Sequence, residues 1–311
     1  MNESIITEFI LLGFGNHSEL QILLFLLFLT IYMLAMVGNL LIVLLVVSDR
    51  QLHIPMYFFL GNLSCLEICY SSTIVPRMLA NFLTGNRNIS FSGCFVQLYC
   101  FGFLVIAETC VLSVMSYDRY LAICKPLQYQ LHMESRICIS LAAGSWISGC
   151  FSASVVVIWM AQLTYCGFNG IDHFFCDFIP LSQLICGDAS LFMEIAFLFS
   201  CLFTLPLFIL TVTSYICIIS AILKIPSSSG RKKAFSTCSS HLIVVTIFYG
   251  SLMVVYLLPD DPKMRSLTKV FSVFYTIFTP MVNPLIYSLR NKEVKEALRK
   301  FIHKFMLQQR I

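Results

Sequence analysis

The sequence predicts an all-α membrane protein in which seven helices cross the bilayer and a short amphipathic helix follows the seventh. Of its 311 residues, 58% are hydrophobic and only 12% are charged, whereas soluble domains have about 45–50% apolar and roughly 25% charged residues. A chain of this length cannot bury so much apolar surface in its own interior, so we expect lipid to cover it. Long stretches without acidic or basic side chains recur, and a hydrocarbon core takes roughly 20 helical residues to cross.

Seven stretches are predicted to be membrane-spanning helices. Helices are favoured over barrel strands because lipid offers backbone groups no other partner, and because the stretches are too long for strands. The second stretch is counted although Glu67 falls in its middle and Arg77 near one end, and the sixth carries only His241. In chain order the stretches are Leu20–Ser48, about Met56–Phe82, Asn88–Ala107, Ile137–Ile171, Ile195–Leu223, Ala234–Pro259 and Val270–Leu289.

Basic residues divide unequally between the two sides of the predicted bundle. Fifteen Lys and Arg residues fall on one side, including the cluster Arg231–Lys233, and five fall on the other. The positive-inside rule places the richer side in the cytoplasm and the amino terminus outside the cell. We therefore predict a single domain over 1–311, with an extracellular segment 1–20, a helix bundle 21–290 and a cytoplasmic tail 291–311.

Signals for asparagine glycosylation lie on the side predicted to be extracellular. Asn2, Asn16 and Asn88 each begin an Asn-x-Ser triplet, which is the acceptor pattern. Asn2 is the preferred acceptor because Asn16 and Asn88 sit near the membrane, while the triplet at Asn62 lies inside the second span and cannot be reached. The chain does not start with a basic segment and a short apolar core, so we expect the first span to act as an uncleaved anchor.

Four of the 14 cysteines fall on the extracellular side, where conditions are oxidising. Cys94 opens the third span, and Cys166, Cys176 and Cys186 share the long loop of about 162–190. An even set of four in such a compartment favours two disulfides. Four cysteines allow three pairings, and free or zinc-bound thiols are the alternative. The other ten are interpreted as small buried apolar residues.

Several sequence strings, in order and over nearly the whole chain, resemble those of olfactory receptors within the rhodopsin-like G-protein-coupled receptors. The most specific string, Met115–Tyr129, places the charged pair Asp118–Arg119 at the end of an apolar span, where charges usually mark function. Ser116 stands where Ala is usual, and Glu67 stands where many receptors have Asp. The other strings are Gly38–Asn39, Leu52–Leu60, Leu63–Ser64, Glu67–Tyr70, Ser214–Tyr215, Lys233–Leu242 and Pro280–Asn291.

The resemblance implies an odorant receptor in the plasma membrane. Such a protein binds small volatile molecules and activates a heterotrimeric stimulatory G protein, which raises cyclic AMP. Its expected partners are an odorant, the G protein and membrane lipid, with no nucleic acid, no cofactor and no enzymatic activity. The resemblance also selects the pairing Cys94–Cys176, which leaves Cys166–Cys186 as the second disulfide.

The same resemblance assigns an activation switch at the cytoplasmic end. Arg119, which is always charged, is expected to pair with Asp118 at rest and to swing toward Tyr215 and Tyr287 on activation. The alternative is a plain surface ion pair, worth about 0–1 kcal/mol. The remaining members of the predicted switch are Tyr120, Asn283 and Pro284. Pro284 is expected to kink the seventh helix, because proline removes one helix hydrogen bond.

Glu67 and Glu108 are two acids that interrupt apolar spans, so both are expected to face the bundle interior. Asn39, Asn283 and Ser113 are neighbours implied by the resemblance. One interpretation is a shared cation site, which holds sodium in related receptors. The alternative is that one or both carboxyls are protonated and hydrogen-bonded, because two nearby carboxylates disfavour double ionisation.

The resemblance places the ligand in the extracellular half of the third, fifth, sixth and seventh spans. The matching positions are mostly apolar, and Phe101 stands where amine receptors carry a carboxylate, so small, neutral, largely apolar ligands with one hydrogen-bonding group are predicted. Tyr249, where many related receptors have Trp, is interpreted as a relay, with ordinary packing as the alternative. The ten positions are Phe101, Gly102, Val105, Ile106, Phe199, Phe203, Tyr249, Met253, Tyr256 and Thr276.

After the seventh span, apolar residues recur at helical spacing between basic ones. Val294, Leu298 and Phe301 belong to this stripe, and Lys295 and Arg299 lie between them. The pattern predicts an amphipathic helix on the anionic inner leaflet.

Three other functions are alternatives to an odorant receptor. A proton-coupled transporter could use Glu67 and Glu108, but such folds show internal repeats and paired broken helices, and the sequence has neither. A membrane enzyme would need a nucleophile–base set or a metal cluster, and the six histidines are scattered. The same receptor machinery could also serve as a chemosensor outside the olfactory tissue, because sequence does not fix the site of expression.

Overall fold

The computed structural model of the protein describes residues 6–14, 18–257 and 265–308. The predicted glycosylation sites Asn2 and Asn16 lie outside these residues. Three short strands and eleven α-helices are described, together with a short 3-10 turn at Arg50–Leu52 and a π-helical segment at Phe274–Phe278. The strands are β1 (Glu8–Leu11), β2 (Asn88–Ser90) and β3 (Gly170–Ile171). The helices are α1 (Ser18–Ser48), α2 (Pro55–Thr84), α3 (Phe91–Cys124), α4 (Pro126–His132), α5 (Ser135–Ala161), α6 (Phe178–Ser182), α7 (Ser190–Leu223), α8 (Ser228–Leu257), α9 (Arg265–Val273), α10 (Thr279–Arg290) and α11 (Lys292–Gln308).

Seven helical segments among the described residues are long and apolar enough to cross a membrane, which confirms the predicted fold class. They lie in α1, α2, α3, α5, α7, α8 and the continuous run from α9 to α10. Two boundaries differ most from the charge-free stretches. Helix α3 continues past Ala107 to Cys124 because its acids Glu108 and Asp118 are buried inside the bundle. Helix α5 ends at Ala161 rather than Ile171.

Local residue chemistry sets several helix ends. Pro55 occupies the first turn of α2, where its missing N–H costs no hydrogen bond. Gly85 ends the same helix with a φ of 67°, a left-handed conformation that glycine adopts without strain. Ser90 caps α3 by accepting a hydrogen bond from the Gly93 N–H at 3.1 Å. Only three residues therefore separate α2 from β2, and α3 follows β2 directly.

One end of the bundle, which we call the sheet end, holds the three strands and the loop of residues 162–189. Strand β1 lies in the middle, antiparallel to β2 and parallel to β3. Its Phe9 and Leu11 are buried, and the Phe9 ring packs on Phe91 with centroids 5.7 Å apart. Two disulfides, Cys94–Cys176 and Cys166–Cys186, hold the loop in the pairing that the resemblance implied.

The opposite end, which we call the basic end, carries α4 and α11. Helix α11 follows the seventh span, as predicted, and it is amphipathic: Val294 and Ala297 are buried, whereas Lys295 and Arg299 are exposed. Lys300 lies 3.8 Å from the Asp49 carboxylate, so α11 also contacts the turn after α1.

Candidate functional site

The charged pair at the basic end is held from two sides. Asp118 is completely buried, and its Oδ2 accepts from Arg119 Nε at 3.2 Å and Nη2 at 3.0 Å. Its Oδ1 accepts from the Tyr129 hydroxyl at 2.8 Å. Burial, followed by the nearby Asp118 carboxylate, raises the pKa of Tyr129, so the phenol keeps the proton that it donates. The structure thus pairs Asp118 with Arg119, and the role of this pair as a switch stays a prediction.

Two more residues of the predicted switch, Tyr215 of α7 and Tyr287 of α10, are buried. The Tyr215 hydroxyl is hydrogen-bonded to His241 Nδ1, which joins α7 to α8. Tyr287 is buried, and its hydroxyl has no hydrogen-bond partner among the described residues; the same holds for His241 Nε2. Tyr120 is half-buried and packs on Tyr117 with ring centroids 6.2 Å apart. Arg119 and Tyr215 are therefore engaged with different partners in this structure.

Pro284 of α10 packs against α1 at Gly38. A Cβ added at Gly38 would lie 3.0 Å from Pro284 Cβ, so the proline ring would have to shift by a few tenths of an ångström to admit it. A glycine at position 38 therefore suits this close packing. Asn39, the next residue, donates from Nδ2 to the Pro280 carbonyl oxygen at 2.9 Å.

The two acids inside the bundle are both buried, with exposed fractions of 1% for Glu67 and 3% for Glu108. Asn283 Nδ2 donates to Glu67 Oε1, so α2 and α10 meet at this residue. Ser113 donates instead to the Leu207 carbonyl oxygen at 3.1 Å and does not join the acids. No group of three or more metal-ligating side chains is found among the described residues.

Three buried oxygens next to these acids lack a hydrogen donor among the described residues: Asn39 Oδ1, Glu67 Oε2 and Asn283 Oδ1. Oxygen ligands suit a hard cation. A protonated carboxyl that donates to an amide oxygen fits the same arrangement. These oxygens can thus accept either a cation or a carboxyl proton.

Phe101 is the best-connected of the predicted ligand positions. It is buried, and its ring packs on Tyr70 of α2, Phe175 of the 162–189 loop and Tyr275 of the π-helical segment. The Phe101–Phe175 centroids are 4.8 Å apart, which is the shortest of the three separations. The loop thus contributes an aromatic side chain at the place where α2, α3 and the seventh span converge.

A polar cluster beside Phe101 contains a residue that sequence reasoning missed. Asp177 is 1% exposed, and its Oδ1 accepts from the Phe178 N–H at 2.7 Å and from the Tyr256 hydroxyl at 2.9 Å. The Tyr256 and Tyr275 hydroxyls lie 3.4 Å apart. Burial raises the pKa of Asp177 to about 6, although both hydrogen bonds oppose the shift. Its position directly after the bridged Cys176 was the available signal.

The remaining predicted ligand positions are less closely grouped. Tyr249 is buried and packs on Phe208 at 5.2 Å, and its hydroxyl has no partner among the described residues. Thr276 is fully buried but donates to Ser272 O of its own helix at 2.6 Å. Gly102 faces Ala153 of α5, and Met253 is 39% exposed. Phe199 and Phe203 form a pair on α7 with centroids 4.9 Å apart, and Val105 and Ile106 are half-buried on α3.

The 162–189 loop contacts α9 through His173, which hydrogen-bonds to α9, and through Asp172, which pairs with Lys269 of α9. His173 Nε2 lies 3.3 Å from the Ser272 hydroxyl, and Lys269 Nζ lies 2.5 Å from Asp172 Oδ1. Lys269 also donates to the Gly13 carbonyl oxygen at 3.3 Å. Burial, assisted by the charge of Lys269, lowers the pKa of His173 to about 3. The imidazole is therefore neutral at physiological pH.

Comparison with known proteins assigns this arrangement to one family. Residues 28–305 match the family described as Olfactory receptor. Olfactory receptor 9K2 of Homo sapiens is 48% identical to this chain over 97% of the chain and 90% of that receptor. Olfactory receptor 8I2 of Homo sapiens is 51% identical, covering 96% of each chain. Olfactory receptor 5M5 of Mus musculus is 47% identical over 98% of this chain and 96% of that receptor.

Proposed function

Because this chain belongs to the olfactory receptor family of seven-helix G-protein-coupled receptors, we propose that it couples odorant binding at the sheet end to G-protein activation at the basic end. The single observation that carries the proposal is the buried Asp118, whose two oxygens are held by Arg119 and Tyr129. Such a pair is costly to bury and costly to break, which suits an element with two discrete states.

The proposed ligand is a small, neutral, largely apolar volatile molecule with one hydrogen-bonding group. It would contact Phe101, Val105, Ile106, Tyr249 and Tyr256 first, with the other predicted positions around it. The unpaired Tyr249 hydroxyl supports one polar contact, because a buried hydroxyl without a partner loses free energy that a ligand oxygen would restore. Asp177 already accepts two hydrogen bonds within the protein.

The proposed orientation places the sheet end outside the cell and the basic end in the cytoplasm of a plasma-membrane protein. Two disulfides at the sheet end support this orientation, because disulfides persist in oxidising compartments. Glycans are then proposed on Asn2 first, and on Asn16 and Asn88 second. Asn88 is exposed in β2, and its Nδ2 donates to Glu8 Oε2 at 3.1 Å.

The proposed signal begins when ligand binding moves the helices around Tyr256 and Tyr275 and ends when Arg119 leaves Asp118. Arg119 would then reach Tyr215 and Tyr287, whose hydroxyls lie on α7 and α10. The unpaired Tyr287 hydroxyl is an available acceptor for the guanidinium. Leu127 and Leu131 of α4 are 99% and 74% exposed, and they give the basic end an apolar contact for a stimulatory G protein.

A cyclic-AMP reporter assay tests the proposal. Cells that display the receptor are exposed to a diverse panel of neutral volatile molecules, and surface display is verified by antibody. We expect at least one concentration-dependent response, which Arg119→Ala abolishes and Tyr249→Phe weakens. If a ligand that stabilises the purified receptor evokes no coupling to any G protein, the functional proposal is wrong.

A further inference from the structure

A groove at the sheet end lies apart from every predicted ligand position. It runs between α2, α3 and β2 and has a volume of about 690 Å³. Glu8 and Arg77 lie at its rim, and Thr73, Val96 and Cys100 extend along α2 and α3. None of the ten predicted ligand residues lines it.

The groove opens on the side of the bundle that faces lipid. Val96 is 62% exposed although it belongs to an apolar spanning helix, and Thr73 and Cys100 are half-buried. A side chain with these properties in a span contacts hydrocarbon, because the bilayer replaces water at that depth. The lower part of the groove therefore accepts an apolar chain.

Arg77 brings a positive charge to the upper part of the groove. It belongs to a span, yet its hydrogen bond is to the Asn88 backbone oxygen, and no acidic side chain among the described residues forms an ion pair with it. A cation at membrane depth is costly unless it is paired. The Glu8 carboxylate lies at the same rim. An anionic group near Arg77 and a cationic group near Glu8 would match both charges.

We infer that this groove binds a zwitterionic phospholipid of the outer leaflet, with the phosphate on Arg77 and an acyl chain along Val96. A planar guanidinium is well suited to phosphate oxygens, which it binds through two parallel hydrogen bonds. The choline ammonium lies toward Glu8. The assignment to the outer leaflet rests on the proposed orientation of the receptor.

Gln97 connects the groove to the loop above the ligand positions. It lines the groove, donates from Nε2 to the Thr73 carbonyl oxygen at 3.0 Å, and accepts at Oε1 from the Cys176 N–H at 2.9 Å. Cys176 directly precedes Asp177. A lipid that fixes α2 against α3 thus also fixes the loop segment that contacts Tyr256.

Native mass spectrometry of the purified full-length receptor tests the inference without odorant or G protein. The receptor is treated with a glycosidase beforehand, so that a sugar on Asn88 cannot fill the rim. The two probes are dioleoylphosphatidylcholine and dioleoylglycerol, which lacks the phosphocholine group. We expect Arg77→Gln to weaken phosphatidylcholine binding by about tenfold, as for the loss of a charge-assisted contact, and Arg77→Lys to restore part of it.

Two further variants make the test decisive. Val96→Trp fills the apolar part of the groove without removing the charge, and we expect it to lower the binding of both probes. Arg87→Gln removes a cation at the same end of the bundle but outside the groove lining, and we expect it to leave binding unchanged. Equal affinity for the two probes in the wild-type receptor, or unchanged phosphatidylcholine binding in Arg77→Gln, overturns the inference. Neither result bears on odorant signalling, which the reporter assay measures separately.

Discussion

Asp118 is a buried carboxylate whose two oxygens are held by different side chains. Its oxygens are shared between a guanidinium and a phenol, so neither donor can leave without exposing a charge to a weakly polar interior. Removing one partner of a buried pair typically costs about 3–5 kcal/mol. An activated state in which this pair is broken can therefore be populated only if Arg119 gains new hydrogen-bond acceptors there.

Replacing Asp118 by Asn is expected to raise ligand-independent activity. The neutral amide holds the guanidinium less tightly, so the population shifts toward the state in which Arg119 is free. Coupling energies in switching proteins correspond to about 5–150-fold, and we expect a rise of about fivefold in basal cyclic AMP. Tyr129→Phe keeps the ion pair and removes only one hydrogen bond, so its increase should be smaller. A silent Asp118→Asn receptor at normal surface density would contradict this mechanism.

Asp177 gives the stability of the receptor a defined pH dependence. Its pKa is raised to about 6 in the folded protein, against about 3.9 in an unfolded chain. As pH falls from about 6 to about 4, the folded state binds a proton that the unfolded state does not, so the free energy of unfolding rises over this range. His173 acts in the opposite direction below about pH 6.5, because its folded pKa is lowered to about 3.

The two contributions can be separated by substitution. Asp177→Asn removes the carboxyl, so its stability relative to wild type should fall by about 1 kcal/mol between pH 7.5 and pH 5. His173→Gln should shift in the opposite direction over the same range. Thermal unfolding of the purified proteins in detergent measures both differences. Parallel pH profiles for wild type and Asp177→Asn would show that this carboxyl has an ordinary pKa.

At the residue scale, the sequence predicts the contacts of those side chains whose partners are near in sequence or belong to a known motif. Asp118 and Arg119 are adjacent and belong to the string Met115–Tyr129, which predicts their pairing. Asp177 was missed because its partner Tyr256 is 79 residues away; its position directly after Cys176 marks the residue but not the contact. The partnership of Tyr215 with His241, 26 residues apart on two different spans, was missed for the same reason.

Helix α3 packs against α5 at a distance that only glycine permits. A Cβ at Gly149 would lie 2.5 Å from the Phe103 backbone oxygen and 3.0 Å from the Ala107 nitrogen. Backbone atoms cannot yield as a flexible side chain can, so α5 would have to move away from α3. Small residues allow this kind of approach in membrane bundles generally.

Gly149→Ala is therefore expected to destabilise the receptor by about 1–3 kcal/mol, the usual cost of overpacking. The measurement is thermal unfolding of the purified protein, with surface display in cells as a second readout. Gly144→Ala is the matched control on the same helix, because a Cβ there meets nothing within 4 Å. Equal stability for the two variants would mean that α3 and α5 separate without cost.

At the element scale, stretches without acidic or basic side chains predict the centres of the helices better than their ends. In the third span, only the charge-free stretch stops at Ala107: Glu108 is predicted to face the bundle interior and Asp118–Arg119 to end the span, and both acids are buried within α3. The fourth stretch extends to Ile171, because apolar residues of a disulfide-bonded loop look the same as lipid-facing ones. The strands were not predicted, since β1 to β3 have four, three and two residues and pair across long separations.

The described residues contain seven spans, an odd number, so the two termini are expected on opposite faces of the membrane. We expect an amino-terminal epitope tag to bind antibody in intact cells and a carboxy-terminal tag to bind it only after permeabilisation. The physical reason is the excess of Lys and Arg on one side. A cytosolic marker protein, labelled only in permeabilised cells, is the control. Labelling of both tags in intact cells would refute the orientation and the lipid assignment together.

The central position of β1 in its sheet has a consequence for biosynthesis. The Glu8 carbonyl oxygen accepts a hydrogen bond from Asn169, which lies 161 residues later in the chain. At a translation rate of about 5–20 residues per second, the newly made amino-terminal segment waits roughly 8–32 seconds for this partner to leave the ribosome. During that interval β1 lacks its pairing with β3, so retention by lumenal chaperones would depend on when the last strand arrives.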